Sequence, residues 1–413
     1  MTLGDLFRET LRSLRAHRLR FALTSLGVVW GAFMLTFLSA SMRGVEEHYT
    51  RELELLGPKV VWVFPGTVVD DRVGDRGARP VEIDAQDVRA LASIHSIERA
   101  APNVILRSQV VRVGRTTKLL SVQGVSHDTS DIRSYRVGDG RFLSRGDVER
   151  GERVAFLGAE AAARLFAEAP AVDRRIQIES VSFRVVGVAK PKGPQLIAVH
   201  GSDDLAVMIP YTTAQRLFVR SESLDQLVFS PRSRAESSPS VRHARELLGL
   251  RERFDPAVET ALYFFNIQDI LTVMARVFVG LRLFLFVAGI VTLLVGAIGV
   301  MNIMLVVVSE RSNEIGVRKA VGASDREIFV QFLTESASVS TLSGLVGVVL
   351  GVGLSLFLRA HLPEDGMLGS PAVLDPAAVA VFVSSLVVVG IVAGLAPALR
   401  AARIDPSVTL RSA

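Results

Sequence analysis

The sequence predicts an α-helical membrane protein with four transmembrane helices and a large extracytoplasmic α+β domain inserted between the first and second helix. Three observations lead to this fold class. The mean hydropathy of +0.37 is high for a chain in which 22% of the residues are charged. Four long stretches contain no charged residue, and a long block of ordinary polarity separates the first stretch from the second.

The four uncharged stretches are long enough to cross a membrane. A helix rises about 1.5 Å per residue, so about 20 apolar residues cross a hydrocarbon layer about 30 Å thick. Core helices of soluble proteins seldom reach this length without a charge. The first stretch exceeds the apolar region of about 7–15 residues in a signal peptide, which favours a retained anchor. The stretches are Phe21–Met42, Leu283–Ser309, Ser336–Leu358 and Pro376–Leu399.

The lysines and arginines beside these stretches predict the orientation of the chain. They precede the first stretch, separate the second from the third and follow the fourth, whereas the short loop 360–375 has none. Because positive charge marks the cytoplasmic side, we expect both termini in the cytoplasm and Arg43–Arg282 outside. This topology explains most of the net charge of +5, so no nucleic-acid partner is predicted.

These signals divide the chain into nine segments. The N-terminal segment has leucines at helical spacing and arginines off that stripe, which predicts an amphipathic helix in the cytoplasmic interface. The predicted segments are 1–20 (amphipathic helix), 21–42 (first span), 43–275 (outer domain), 276–309 (second span with a stalk), 310–329 (cytoplasmic corner), 330–359 (third span), 360–375 (short outer loop), 376–399 (fourth span) and 400–413 (cytoplasmic tail).

The outer domain is predicted to contain short strands and helices separated by Gly/Pro-rich turns. The first helix should continue to the stop at Gly57-Pro58. Gly138–Gly140 and Asp203-Asp204 are interpreted as turns, and Ser230–Ser240 as a loop before a helix. The other predicted elements are a strand at Lys59–Phe64, a helix capped by Asp84, a hairpin over Asn103–Val125 that turns near Gly114, a helix at Ala159–Phe166, one or two strands over Arg175–Ala189, a strand and helix over Ala206–Phe218, and a strand at Ala261–Ile267.

The sequence offers little for catalysis. The chain has no cysteine, which excludes disulfides, Cys-ligated zinc and thiol nucleophiles. The seven histidines are scattered, without a pair at metal-ligand spacing, and no Gly-x-x-x-x-Gly-Lys-Ser/Thr phosphate loop occurs. We therefore expect a non-enzymatic chain that holds neither a metal nor a cofactor of its own.

The cytoplasmic corner is predicted to be two helices joined by a tight turn. Glu310–Val321 forms the first, Gly322 ends it, and Ser324 with Glu327 forms a capping box that starts the next. Ile315 and Val321 are expected to be exposed among charges, which suggests contact with a partner's groove. Glu314 and Arg318 lie i, i+4 and can brace the short helix.

Small residues in the third span predict close helix packing. Gly347 and Gly351 have the Gly-x-x-x-Gly spacing, and Gly344 lies on the same face. Glycine is also common in membrane helices in general, so the alternative is that these glycines have no packing role.

The segment ERSNEIGVRKAVGAS (Glu310–Ser324) resembles the signature of the FtsX/MacB-like ABC transporter permeases. The resemblance extends over Gly124–Phe166, similar to the MacB-like periplasmic core, and over Pro397–Arg411, so that an FtsX-like permease domain is expected at 283–406. It implies that the corner is a coupling helix that touches an ATPase. The residues that match this motif are Glu310, Arg311, Glu314, Ile315, Gly316, Arg318, Lys319, Gly322 and Ala323.

The resemblance also implies partners and a function. It implies a multi-pass protein of the bacterial inner membrane that pairs with a second permease copy or paralogue. A separate ATPase subunit, which carries ATP and Mg²⁺, would drive periplasmic conformational change and export of a hydrophobic, peptide or antibiotic-type substrate. A periplasmic adaptor is a further partner that the resemblance implies. The alternatives are a lipoprotein-releasing permease and a non-transporting signal relay.

The sequence departs from the family in three places. No fused ATPase is expected, the first span contains Trp30, Phe33 and Phe37, and the ending Ile404–Arg411 differs from the usual motif.

Overall fold

The computed structural model of the chain describes residues 18–68, 78–167, 169–193, 195, 201–361 and 376–405. The chain divides into two compact units, which are an outer unit, Tyr49–Met274, and a helical unit, Met1–His48 with Ala275–Ala413. Nearly all of the predicted amphipathic helix 1–20, nearly all of the predicted loop 360–375 and the end of the predicted tail lie outside the described residues.

The elements follow the predicted order of helix, α+β region and helices. The first helix and the elements of the outer unit are α1 (Arg18–Glu54), β1 (Val61–Pro65), β2 (Thr67–Val68), β3 (Arg79–Pro80), α2 (Ala85–Ala92), β4 (Ile97–Val113), β5 (Thr116–Val125), α3 (Thr129–Ile132), β6 (Val137–Gly140), α4 (Arg145–Arg150), β7 (Val154–Leu157), α5 (Ala159–Phe166), β8 (Arg175–Ile178), β9 (Val181–Ala189), β10 (Ala206–Pro210), α6 (Tyr211–Ala214), β11 (Gln226–Pro231), α7 (Ser237–Glu252) and β12 (Leu262–Asn266). The remaining helices are α8 (Ile267–Glu310), α9 (Ser312–Ala320), α10 (Asp325–His361) and α11 (Pro376–Ala402).

Four of the described helices, α1, α8, α10 and α11, are long and apolar enough to span a membrane. This confirms the four predicted spans. Each helix extends beyond its uncharged stretch, and α8 begins at Ile267, earlier than the predicted start of the stalk. Helix α1 continues to Glu54 and is followed by Gly57, whose φ of +118° a residue with a side chain rarely adopts. The predicted stop is therefore confirmed.

The outer unit is built on a ten-stranded mixed sheet. Nine strands follow the order β12-β1-β11-β4-β5-β10-β7-β9-β6, and β8 pairs with β4 and β9. The pairs β5–β10 and β7–β9 are parallel. Alternating apolar residues of the central strands, among them Val61, Val122 and Val207, lie in the main core. The sheet therefore supplies the rigid frame of this unit.

Local sequence explains several elements of the outer unit. The β4–β5 hairpin turns at Gly114, whose φ is +57°, and α5 has the predicted bounds. The side chain of Asp84 accepts hydrogen bonds from the amides of Gln86 and Asp87 and caps α2. These three predictions are confirmed.

Two loop predictions for the outer unit were wrong. Gly138–Gly140 lies in strand β6, because the bare backbones of Gly140 and Gly187 let β6 and β9 approach where any side chain would clash. Ser237–Ser240 belongs to α7 rather than to a loop. The Ser237 hydroxyl donates to Asn266 Oδ1 at 2.8 Å, and Ser240 Oγ lies 2.9 Å from Ser96 Oγ. Tertiary partners thus satisfy hydroxyls that a sequence reading assigns to solvent.

Glycines bring the membrane helices of the helical unit into backbone contact. A Cβ at Gly347 would clash with the carbonyl oxygen of Val29 in α1, and one at Gly351 would lie 3.0 Å from the carbonyl oxygen of Phe33. A Cβ at Gly344 would clash with Leu386 of α11. The helix α10 therefore meets α1 and α11 at positions where glycine leaves room.

We expect Gly347→Val to destabilise the helical unit by about 1–3 kcal/mol, because overpacking forces α10 away from α1. Thermal unfolding of the detergent-solubilised chain measures the effect as a lower Tm. The matched control is Gly353→Val on the same helix, since a Cβ there meets nothing within 4 Å. Equal losses in both variants would contradict the packing argument.

Candidate functional site

The corner between α8 and α10 consists of the short helix α9 and a glycine turn. Helix α9 follows Arg311, and the amide of Ala323 donates to the carbonyl of Arg318 at 3.0 Å as the chain turns. Gly322 has a φ of +112°, so its backbone conformation, and not lack of space, requires glycine. The Ser324 amide donates to Glu327 Oε2 at 2.8 Å and the Glu327 amide to Ser324 Oγ at 3.3 Å, which confirms the predicted capping box.

One face of α9 is buried, and it contains Ile315. The exposed fraction of Ile315 is only 2%, and the side chain lies in the apolar core of the helical unit. Its neighbour Gly316 is also buried. The expectation that Ile315 is exposed was therefore wrong. Charged neighbours in sequence show that a helix has a polar side, but they do not show that every apolar residue between them lies on it.

Most charged side chains of the corner form hydrogen bonds and ion pairs with other residues of this chain. Arg311 Nε donates to Glu314 Oε2 at 2.9 Å, and Arg311 Nη1 lies 3.4 Å from Glu335 Oε2 in α10. Arg318 donates to Glu314 Oε1 at 2.6 Å, as the i, i+4 spacing predicts. Arg318 also donates to Gln331 Oε1 at 3.0 Å. These contacts fix α9 against the start of α10.

The ion pairs around Glu314 alter its titration. The hydrogen bond from Arg311 lowers the pKa of Glu314, burial opposes this shift, and the charges of Arg311 and Arg318 add to it. Glu314 is therefore held in its ionised form and keeps its two partners at neutral pH. Lys319 is engaged elsewhere, with the end of α11.

The opposite face of the corner forms an open groove of about 930 Å³. Val317 is 49% exposed and Val321 is 85% exposed, and Val330 of α10 also lines the groove with an exposed side chain. Arg318, Arg326 and Glu327 contribute its polar lining. We call this surface the valine groove. Arg318 and Ala323 of the predicted motif line it, whereas Glu310 is an exposed residue at the end of α8.

Sequence reasoning named Val321 but missed Val317 and Val330. The available signal was the i, i+4 spacing of Val317 and Val321, on a different face from Ile315. Val330 lies in α10 and reaches the groove because the chain turns at Gly322. The sequence alone does not show the direction of that turn.

The outer unit contains a buried ionic cluster that sequence reasoning did not predict. Asp203 and Asp204 lie in a single 3₁₀ turn, as expected, but both are buried. Asp203 accepts hydrogen bonds from Arg133 Nη2 at 2.6 Å and from Lys192 Nζ at 2.8 Å. The Arg133 guanidinium also lies 5.6 Å from the centre of the Trp62 ring. The cluster ties the α3 segment to the connection between β9 and β10.

The charges of this cluster shift the pKa of its members. Burial opposes ionisation of Asp203, but attraction to Arg133 and Lys192 outweighs it and holds the pKa of Asp203 well below its ordinary range. Burial lowers the pKa of Lys192, and Asp203 partly restores it. Both oxygens of the Asp203 carboxylate have hydrogen-bond partners, which suits a structural tie better than acid–base chemistry. Within the part of the chain that the structure describes, no group of three or more His, Cys, Asp or Glu could hold a metal ion.

Comparison with known families agrees with this architecture. A model of the MacB-like periplasmic core domain matches residues 21–244, and a model of the FtsX-like permease C-terminal region matches residues 286–406. The periplasmic region of MacB from Actinobacillus actinomycetemcomitans is a similar solved structure, with 18% identity and a TM-score of 0.44 over 54% of this chain and 95% of that one.

Two relatives share the name "Macrolide export ATP-binding/permease protein MacB". The protein of Bdellovibrio bacteriovorus is 31% identical over 98% of this chain and 61% of its own length. The protein of Syntrophobacter fumaroxidans is 28% identical over 100% of this chain and 65% of its own length. The chain thus spans about three fifths of these relatives. It belongs to the family of membrane permeases that join a MacB-like periplasmic core domain to an FtsX-like permease C-terminal region.

Proposed function

We propose that this chain is the membrane subunit of an ABC-type exporter, and that the valine groove docks an ATPase on a separate subunit. The observation that carries the proposal is the groove itself, where Val317, Val321 and Val330 lie exposed beside charged side chains at the junction of α9 and α10. An apolar patch with a polar rim is typical of a protein interface. The name shared by the two relatives, which joins ATP binding to a permease, supports an ATPase as the occupant.

The proposed mechanism is mechanical. The partner would bind ATP and Mg²⁺, and its two nucleotide states would bind the groove with different affinity, since otherwise no work is transmitted. The chain would act as a dimer with a second copy or a paralogue, and a periplasmic adaptor could join the outer unit. The proposed cargo is a hydrophobic, peptide or antibiotic-type substrate, by analogy with the macrolide export named for the relatives.

Val321→Asp tests the docking proposal. A carboxylate placed in an apolar contact loses hydration without gaining a partner, at a cost of about 2–4 kcal/mol, so the affinity for the ATPase should fall roughly 30- to 700-fold. Co-purification with the co-expressed ATPase measures this loss. The matched control is Leu250→Asp in the outer unit, because Leu250 is 81% exposed and lies outside the groove. Equal ATPase recovery from Val321→Asp and the control would refute docking at this surface.

We further propose that the protein lies in the bacterial inner membrane with both termini and the corner in the cytoplasm. Single cysteines at Ser202, Ser324 and Ser370 of this cysteine-free chain test the orientation. An impermeant maleimide should label positions 202 and 370 in intact spheroplasts and position 324 only after lysis. Labelling of position 324 from outside would reverse the topology and remove the corner from reach of a cytoplasmic ATPase.

A further inference from the structure

The side chain of Lys319 joins two helices that are far apart in the sequence. Its Nζ donates hydrogen bonds to the carbonyl oxygens of Ala402 and Ile404, both at 2.8 Å, and lies 2.8 Å from Asp325 Oδ1. An ammonium group has three N–H donors. The three acceptors therefore use its full capacity, and they bring together α9, the first turn of α10 and the end of α11.

Of the two carbonyl acceptors, that of Ala402 belongs to the last residue of α11 and needs a partner from outside the helix, whereas that of Ile404 lies two residues beyond the helix end. The last four carbonyls of a helix have no intrahelical donor, and the helix dipole concentrates negative charge there. A lysine in the last turn of a helix can bond the final carbonyls of that same helix. Here the cap comes from α9 instead, so the end of α11 is completed by a residue of the corner.

The contact between Lys319 and the end of α11 is largely buried and lies on the inward face of α9. The side chain of Lys319 is only 12% exposed, so water competes weakly for its hydrogen bonds. Lys319 follows Ile315 by four residues, which places both on one side of the helix. Ile404 packs against the same apolar core that contains Ile315. An apolar contact and a charged contact therefore hold this face of α9 within the helical unit.

We infer that Lys319 is a positioning residue that links the valine groove to the C-terminal end of α11, so that force applied at the groove reaches this helix. The source of that force rests on the proposed function, whereas the link itself does not. Arg311 and Arg318 connect α9 to α10, and Lys319 connects α9 to the end of α11. The three helices should therefore move together.

The first test uses the chain without any ATPase. Spin labels on cysteines introduced by Asn313→Cys and Arg403→Cys report the distance between α9 and the end of α11 by dipolar EPR. Lys319→Met keeps the length of the side chain and removes the ammonium group, and we expect at least a twofold broader distance distribution. The matched control, Arg400→Met, removes an exposed cation from the same end of α11 and should keep the narrow distribution. An unchanged distribution in Lys319→Met overturns the inference, whatever Val321→Asp does to ATPase binding.

Hydrogen–deuterium exchange provides a second measurement of the link, with Lys319→Gln as a second variant. In both variants the amides of residues 399–405 should exchange about tenfold faster than in the unmodified chain, while those of β5 and β10 keep their rates. Equal protection of residues 399–405 in all three chains overturns the inference.

A third arm separates this link from docking. In the assembled complex, trapping the ATPase with ADP and vanadate should change the mobility of a spin label at position 403 in the unmodified chain but not in Lys319→Met. Lys319→Met should still bind the ATPase within threefold of the unmodified chain, because the valines of the groove remain. An equal vanadate response in both chains overturns the inference even when docking is normal.

Discussion

Replacing Ile315 with aspartate is expected to destabilise the helical unit by about 5 kcal/mol, which equals the whole stability of a marginally stable domain. The substitution loses the packing of a buried isoleucine, worth about 2–5 kcal/mol, and places a carboxylate in an apolar core. A native domain is stable by only about 5–15 kcal/mol. The yield of monodisperse chain after detergent extraction and its Tm measure the loss.

The matched control for Ile315→Asp is Val321→Asp, which introduces the same charge on the same corner. Val321 is largely exposed, so this variant should fold and insert normally and lose only ATPase binding. Comparing the two variants therefore distinguishes the buried face of the corner, which is needed for folding, from the exposed face that we propose docks the ATPase. Normal yield and Tm of Ile315→Asp would show that Ile315 is not in the core.

Replacing Asp203 with asparagine is expected to destabilise the outer unit by about 3–5 kcal/mol. The change leaves the buried cations Arg133 and Lys192 without their counter-charge, and breaking a buried pair on one side is costly. Thermal unfolding of the Trp30→Phe chain, in which the buried Trp62 is the remaining tryptophan, follows this unit by fluorescence. The matched control is Asp173→Asn, whose pair with Arg184 is exposed and should contribute at most about 1 kcal/mol.

The effect of Asp203→Asn should depend on pH in a defined direction. The pKa of Asp203 is lowered in the folded chain, so its contribution is complete above the ordinary aspartate pKa of about 4. The contribution is lost as the pH falls from there toward the folded value. The Tm difference between the two chains should therefore be constant from pH 5 to 7 and should narrow below about pH 4. A difference that grows on acidification would contradict the buried ion pair.

Local sequence determined most of the secondary structure. The length of the uncharged stretches predicted the four spans. Glycines predicted the hairpin turn at Gly114 and the end of α1 at Gly57. The helix caps at Asp84 and Ser324 could also be predicted from the sequence, because each depends on residues at most three positions apart. The motif in the corner, Glu310–Ser324, predicted the family. All these signals lie within a few residues of one another, so no distant partner is needed to interpret them.

Only the tertiary structure decided which side of the corner is buried and which is exposed. One short segment contains Ile315, Val317, Lys319 and Val321. Their spacing shows which of them lie on the same face of the helix, but it does not show which face is buried. The covering groups come from α10 and α11, whose close approach depends on glycines such as Gly344 of α10 and Gly390 of α11. The partners of Lys319 and Asp203 are likewise remote in sequence. Burial and charge pairing are properties of the packed chain, and for that reason the sequence revealed the corner but not the roles of its individual side chains.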